Sequence, residues 1–193
     1  MIVPRWEWRT FGDDFGAADR WFAAATPERV QESDETYLLS LESDASVKVR
    51  DGLMDVKRLE ATDGDGLEQW KPVMKGEFPL AADGVRDVFE ALVVPPPSLG
   101  PDEYTLEQLV GGLVEPNPAL RAVDVHKRRE RFTVGGAMAE RSEIGTAEGV
   151  RRTIAVESED PALVVAAVRE LGLPLQPNVC MARGLKTLVA FGT

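Results

Sequence analysis

Two short runs, Ser46–Arg50 and Leu53–Leu59, flank Asp51-Gly52, and this arrangement sets the tightest limit on how the chain folds. Asp-Gly between two strand-like runs signals a two-residue hairpin, because both central residues of such a turn need a left-handed backbone. In the first arm Val47 and Val49 alternate with Lys48 and Arg50. Alternate residues of a strand share a face, so the valines point one way and the cations the other. Val56-Lys57-Arg58 brings further cations onto the second arm, and Val125-His126-Lys127-Arg128-Arg129 repeats the theme far along the chain.

Other stretches read as strands. Residues 2–11 form a first strand, with Trp6, Trp8 and Thr10 on one face and Arg5, Glu7, Arg9 and Phe11 on the other. Thr36–Leu41 and Glu68–Met74 follow, with Pro72 marking an edge or bulge in the latter. Val123–Arg129, Arg131–Val134, Ala137–Ile144 and Arg151–Ser158 make a second set, with turns at Gly135-Gly136 and from Gly145 to Gly149. Helical spacing appears over Phe15–Ala25, Val85–Val93, from Thr105 to about Val114 and over Pro161–Leu171. Thr105 with Gln108 fits a capping box, and Pro161 and Gly172 mark a start and a stop. Leu185–Phe191 reads as either a strand or a terminal helix.

About eight antiparallel strands do not lie flat easily, and closure removes their edges. The interior of an eight-stranded barrel has room for one small ligand. The expected fold is therefore α+β: an antiparallel eight-stranded closed barrel (tunnel) with surrounding helices. It spans a single domain, 1–193, with a helical insertion at about 81–118.

The basic strands sit in an acidic protein, with 22 Lys+Arg against 33 Asp+Glu and a formal charge of −11. That balance opposes binding to duplex nucleic acid and to anionic membranes. No run approaches the ~18 apolar residues of a membrane helix. The N-terminus lacks the apolar core of a signal peptide. The one cysteine, Cys180, excludes an intrachain disulfide and fits a reducing, cytoplasmic setting. Converging cations inside such a chain imply a local site for a multiply charged anion.

The candidate side chains come strand by strand. The first offers Glu7 and Arg9; the hairpin offers Lys48, Arg50 and Lys57. The fifth offers Lys127 and Arg129, or His126 and Arg128 if the opposite face is inward. The last offers Glu157 and Glu159. Arg binds phosphate bidentately and Lys acts as a point charge. Carboxylates repel phosphate unless a divalent cation lies between, and Mg²⁺ is commonly held by one or two carboxylates plus substrate oxygens and water. Cations and a few glutamates facing one cavity thus read as a metal–polyphosphate site. Any one of these stretches alone would read as a solvated strand face; their joint occurrence favours a site. His126 reads as a strand residue among charged neighbours, and Cys180 as a small buried apolar residue. Gly111-Gly112 and Gly135-Gly136 lack the spacing and the Lys-Ser/Thr of a phosphate-binding loop.

The ordered set resembles the CYTH superfamily, the triphosphate tunnel metalloenzymes. Arg5-Trp6-Glu7-Trp8-Arg9 stands where that family opens with Glu-x-Glu-x-Lys, and Thr36-Tyr37-Leu38 where it has a Tyr-containing strand. Ser46 to Lys57 is similar to its Arg-x-Arg hairpin, and Lys127-Arg128-Arg129 to a later Lys-x-Arg strand. Glu140 follows as an acidic strand residue, then Thr153 to Glu159 in place of Glu-x-Glu, with Lys186 near the terminus. Arg5 replaces the opening glutamate, and the late pair reads as Ala155-x-Glu157 or, shifted, Glu157-x-Glu159. The resemblance implies hydrolysis of a triphosphate or polyphosphate with Mg²⁺ or Mn²⁺. Arg9, Lys48, Arg50, Lys57, Lys127, Arg129 and Lys186 would bind the substrate. Glu7, Glu140, Glu157 and Glu159 would hold metal, with Glu7 and Glu157 catalytic. The thinned carboxylates leave a non-catalytic binding module for a phosphorylated ligand or nucleotide as the alternative. A cyclase acting on ATP falls within the same family, and a homodimer is left open.

Overall fold

The computed structural model describes residues 3–192. In chain order the elements are β1 (Arg5–Gly12), α1 (Ala17–Ala24), β2 (Arg29–Ser40), β3 (Ser46–Arg50), β4 (Leu53–Thr62) and β5 (Glu68–Glu77). Next come β6 (Leu80–Ala81), α2 (Ala82–Ala91), β7 (Glu103–Tyr104) and α3 (Leu106–Leu109), which runs into a π turn at Val110–Val114. The chain continues with β8 (Leu120–Val134), β9 (Ala137–Thr146), β10 (Gly149–Ser158), α4 (Pro161–Glu170) and α5 (Met181–Leu188). Among the described residues no helix is long and apolar enough to cross a membrane.

Eight of the strands close into an antiparallel barrel in the order β1-β10-β9-β8-β2-β3-β4-β5. The ring is sealed where β1 meets β5, with Arg5 opposite Trp70 and Glu7 opposite Glu68. Asp51 and Gly52 both adopt positive φ, 52° and 73°, as the β3–β4 hairpin requires. Pro72 lies opposite Lys57 beside a register shift between β4 and β5, where its missing N–H interrupts the ladder least.

The alternation that marks these strands in sequence is inverted relative to an ordinary solvated sheet. Around the cavity, apolar residues of these strands face outward under helices, and charged residues face the barrel axis. Val47, Val49, Met54 and Val56 pack under α2 with Phe89 and Leu92. On the other side Trp8, Phe132, Ile154 and Val156 pack under α1 and α4 with Phe22 and Val168. A third cluster fills one end of the barrel from within: Met181, Ala182 and Leu185 of α5 meet Tyr37, Leu39, Val123, Val125 and Ile144. Burying both faces of so many strands is what lets a chain of this size stabilise a polar interior.

Several boundaries differ from the sequence reading. β2 starts at Arg29 rather than Thr36, because its first half is polar and is ordered by pairing along β8 from Arg131 to Val125. β8 is one continuous strand, where a break at Glu130 was expected; Glu130 instead points outward and is paired by Arg128 and Arg141. The ambiguous terminal segment is the helix α5, beginning at Met181. Ile2, the expected start of the first strand, lies outside the described residues. The capping box at Thr105 and Gln108 is present.

Candidate functional site

The barrel encloses a cavity of about 210 Å³. Seven basic side chains line it: Arg9 from β1, Lys48 and Arg50 from β3, Lys57 from β4, and Lys127, Arg129 and Arg131 from β8. Five acidic ones join them: Glu7, Asp44, Asp55, Glu140 and Glu157. The register of β8 is therefore settled. Lys127 and Arg129 face inward, while His126 is exposed on the outer face beside Asp34, 2.8 Å away.

At the centre lies Glu140, whose side chain is 9% exposed. Its carboxylate takes Lys127 Nζ at 2.6 Å, Arg129 Nη1 at 3.4 Å and Arg9 Nη1 at 3.8 Å. Ser142 Oγ donates to it as well, at 2.8 Å. Burial opposes ionisation of Glu140, but Lys127 and Arg9 outweigh it and hold the carboxyl far below the usual range. For Lys127 burial is the larger influence; it and the nearby Arg9 lower the ammonium despite Glu140.

A second node, missed in the sequence, is Glu35. Its side chain is fully buried and takes Lys48 Nζ at 3.2 Å and Arg50 Nη1 at 3.5 Å. Tyr37 Oη donates to it at 2.8 Å and Ser33 Oγ at 3.2 Å. Burial would raise this carboxyl, but Lys48 and Lys127 together with the hydrogen bonds bring it below the ordinary value. Burial and then Glu35 push Tyr37 well up, so the phenol stays a donor. The signal in the sequence was the i, i+2 spacing of Ser33, Glu35 and Tyr37 on a strand whose first half has Val30 as its one apolar residue.

The carboxylates of β1 and β10 behave differently. Glu7 and Glu157 are directly opposite across these strands, and both line the cavity. Glu7 accepts from Arg9 Nε at 3.0 Å, and Glu157 pairs with the half-exposed Arg5 at 3.2 Å. Burial raises the Glu157 carboxyl and Glu7 raises it further. Among the other expected site residues, Glu159 lies past the end of β10 in an adjoining groove that it shares with Arg5, Glu7, Lys57 and Glu157. Lys186 on α5 is bonded to Asp44 and to the Ser43 carbonyl. Neither lines the cavity.

The first turn of α5 closes part of the wall through Cys180, Met181 and Ala182. It is tied in place by Asn178, which bonds the Arg9 N–H and the Glu7 carbonyl, and by Arg183, which reaches Asp44 and Glu68. Burial pushes the Cys180 thiol up to about 11, which leaves it an inert wall residue.

No protein-family model matches the chain, and no curated protein matches it. Among solved structures, HpAC1 from Hippeastrum, a candidate adenylyl cyclase with a dominant triphosphatase activity, aligns over 88% of each chain at 12% identity and a TM-score of 0.46. A candidate adenylate cyclase from Bacillus halodurans aligns over 91% of this chain and 93% of its own, at 10% identity and a TM-score of 0.54. The chain shares the fold of that structure, seen here as an eight-stranded antiparallel tunnel with helices outside. Around the cavity the inward positions of β1, β3, β4 and β8 carry the basic side chains.

Whether this interior suits a divalent ion turns on how fully each carboxylate is already compensated. Glu140 and Glu35 are each ringed by several cations. Among the described residues Glu7 and Glu157 have one ion pair each, to Arg9 and to the half-exposed Arg5, and they face each other across β1 and β10. Two carboxylates suit one Mg²⁺ or Mn²⁺ whose remaining ligands are substrate oxygens and water. Among the described residues no group of three or more His, Cys, Asp or Glu side chains is arranged to hold a metal by itself.

Proposed function

We propose that the tunnel binds a chain of linked phosphates and hydrolyses its phosphoanhydride bond. One observation carries this reading: seven basic side chains converge on a single cavity in a protein of net charge −11. Surface attraction to polyanions does not account for cations collected in an interior, whereas a buried polyanion would compensate them. Lys127 and Arg9, the most enclosed, take the innermost phosphoryl oxygens, and Lys48 and Arg50 hold the chain from the facing wall. Glu35 fixes those two side chains in place before any ligand arrives. Glu7 and Glu157 hold a Mg²⁺ or Mn²⁺, which when bound supplies charge neutralisation at the phosphoryl oxygens and acidifies water. The CYTH-type fold agrees with a phosphorylated small molecule as ligand.

The decisive experiment is phosphate release from tripolyphosphate, ATP and thiamine triphosphate with Mg²⁺ or Mn²⁺, compared with the Lys48→Ala/Arg50→Ala protein. Turnover in the wild type alone supports hydrolysis, and release of pyrophosphate with cyclic AMP from ATP would redirect the reading to a cyclase. A second reading, ligand binding without turnover, is favoured by the saturation of Glu140 and Glu35, which leaves a single carboxylate pair for metal. Calorimetric binding of tripolyphosphate with no product under any metal selects it.

A further inference from the structure

Lys127, Arg129 and Arg131 occupy successive inward positions of β8, roughly 6.6 Å apart along the strand. Their surroundings change steadily along that line. The Lys127 side chain is 5% exposed and the Arg129 side chain 11% exposed. Arg131 is half-buried, and Arg29, directly opposite it on β2, is exposed. The row therefore leads from the enclosed cavity to the rim of the barrel.

Compensation falls away along the same line. Lys127 has Glu140, and Arg129 has Glu140 together with Gln31 Oε1 at 2.8 Å. Arg131 has no carboxylate within ion-pair distance among the described residues, and its buried Nε has no hydrogen-bond partner. Glu140 is its cross-strand neighbour on β9, but the oxygens of Glu140 are taken by Lys127, Arg129 and Arg9. On the other side Arg131 faces Arg29, and like charges directly opposite on one sheet face repel. Burial first, then Arg129, disfavour the charged form of Arg131; Glu140 and Glu157 act the other way from beyond ion-pair distance, and Arg29 adds to the repulsion. A polar atom buried without a partner, beside a second guanidinium, calls for an anion that is not part of the chain.

We infer that Arg131 and Arg29 form a rim subsite for a phosphoryl group lying beyond the one held at Lys127 and Arg9. The ligand class is then a linear oligophosphate long enough to reach from the enclosed cations to the rim. Both an inorganic chain and one capped by a nucleoside have that chemistry, with the cap projecting past Arg29. This inference rests on the proposed phosphate-binding role of the tunnel, and it adds a length requirement.

Calorimetry on the full chain tests it, using pyrophosphate, tripolyphosphate, tetrapolyphosphate and ATP against wild type, Arg131→Gln and Arg29→Gln. Arg131→Gln should lose about tenfold to a hundredfold in affinity for the three longer ligands, as expected for a charged hydrogen-bonding partner. Pyrophosphate affinity should change less than the others by at least fivefold. Arg29→Gln should show the same length dependence at smaller size. Loss of ATP binding alone places the subsite on the nucleotide's α-phosphate, and parallel loss for the inorganic chains places it on chain length itself; either result supports the subsite. Equal losses for all four ligands, or none, overturn it while leaving the tunnel reading intact. Failure of the wild type to bind any of the four overturns both. Thermal melting without ligand gives a second readout: Arg131→Gln should melt at or above the wild-type temperature, because a repulsion is removed, and a marked drop counts against the assignment.

Discussion

Two pairs of inward carboxylates in one barrel have contrasting surroundings. Glu140 and Glu35 are each surrounded by cations and hydroxyl donors, and their carboxyls are driven down. Glu7 and Glu157 face one another, and Glu157 is driven up. All are inward residues of alternating strands, so position on the strand does not separate them. The number of positive neighbours does. Glu140 and Glu35 are internal counterions that let cations be stored in an interior. Among the described residues Glu7 and Glu157 have one cation each, Arg9 and Arg5, and sit against one another, so they are the carboxylates of the four with the least positive charge around them.

The largest test of this contrast is removal of a counterion. Glu140→Ala leaves Lys127, Arg129 and Arg9 facing one another without an anion. Breaking such a buried set costs about 3–5 kcal/mol, to be read from denaturant unfolding. Adding tripolyphosphate should recover part of that loss, since the ligand takes the place of the carboxylate. Glu35→Gln should come next. It keeps the shape but removes the charge shared by Lys48 and Arg50, at a cost of about 1.5–3 kcal/mol. If Glu35→Gln were as stable as the wild type, the counterion role would be lost.

Acid titration should sharpen the same comparison. Glu140 and Glu35 have lowered folded-state pKa values, so their contribution to stability is complete above the ordinary carboxylate value of about 4.3. It fades as pH falls below that point, and the wild type should lose stability there more steeply than Glu140→Gln. Glu157 has the opposite sign. Its raised folded-state value means that stability declines as pH rises from about 4.3 toward that value.

A smaller effect is expected at neutral pH for Glu157→Gln, which should raise the melting temperature by about 1–3 °C by relieving the repulsion from Glu7. The same variant should abolish any Mg²⁺- or Mn²⁺-dependent rise in melting temperature seen with the wild type and tripolyphosphate. A metal response that survives in Glu157→Gln would remove this pair from the proposed metal site. Smallest of all, His126→Ala should leave ligand binding unchanged, because His126 lies on the outer face of β8 beside Asp34.

Much of the barrel was legible in the residues. The Asp51-Gly52 hairpin, the alternating valines and cations and the Gly135-Gly136 turn are local signals, and each corresponds to a strand or turn found in place. What escaped was the first half of β2 and the continuity of β8. Arg29 to Glu35 carries no apolar alternation, so its strand character comes from its partner rather than from itself. Glu35 and Arg131 were missed for that reason: one lay in a segment given no element, the other beyond a break that the strand does not have.

By itself the sequence determined that cations and valines alternate along β3, and hence that this strand has one basic and one apolar face. It also determined, through the chain's acidity, that those cations needed a local explanation. Only the tertiary structure decided which face is inside. Helices cover the valines because apolar area must leave water, and the closed ring then has nowhere but its axis for the lysines and arginines. The tertiary structure also decided which carboxylates are ringed by several cations and which, among the described residues, have only one. That distinction depends on distances between strands far apart in sequence, such as β1 and β10 or β8 and β9, and no local pattern encodes it.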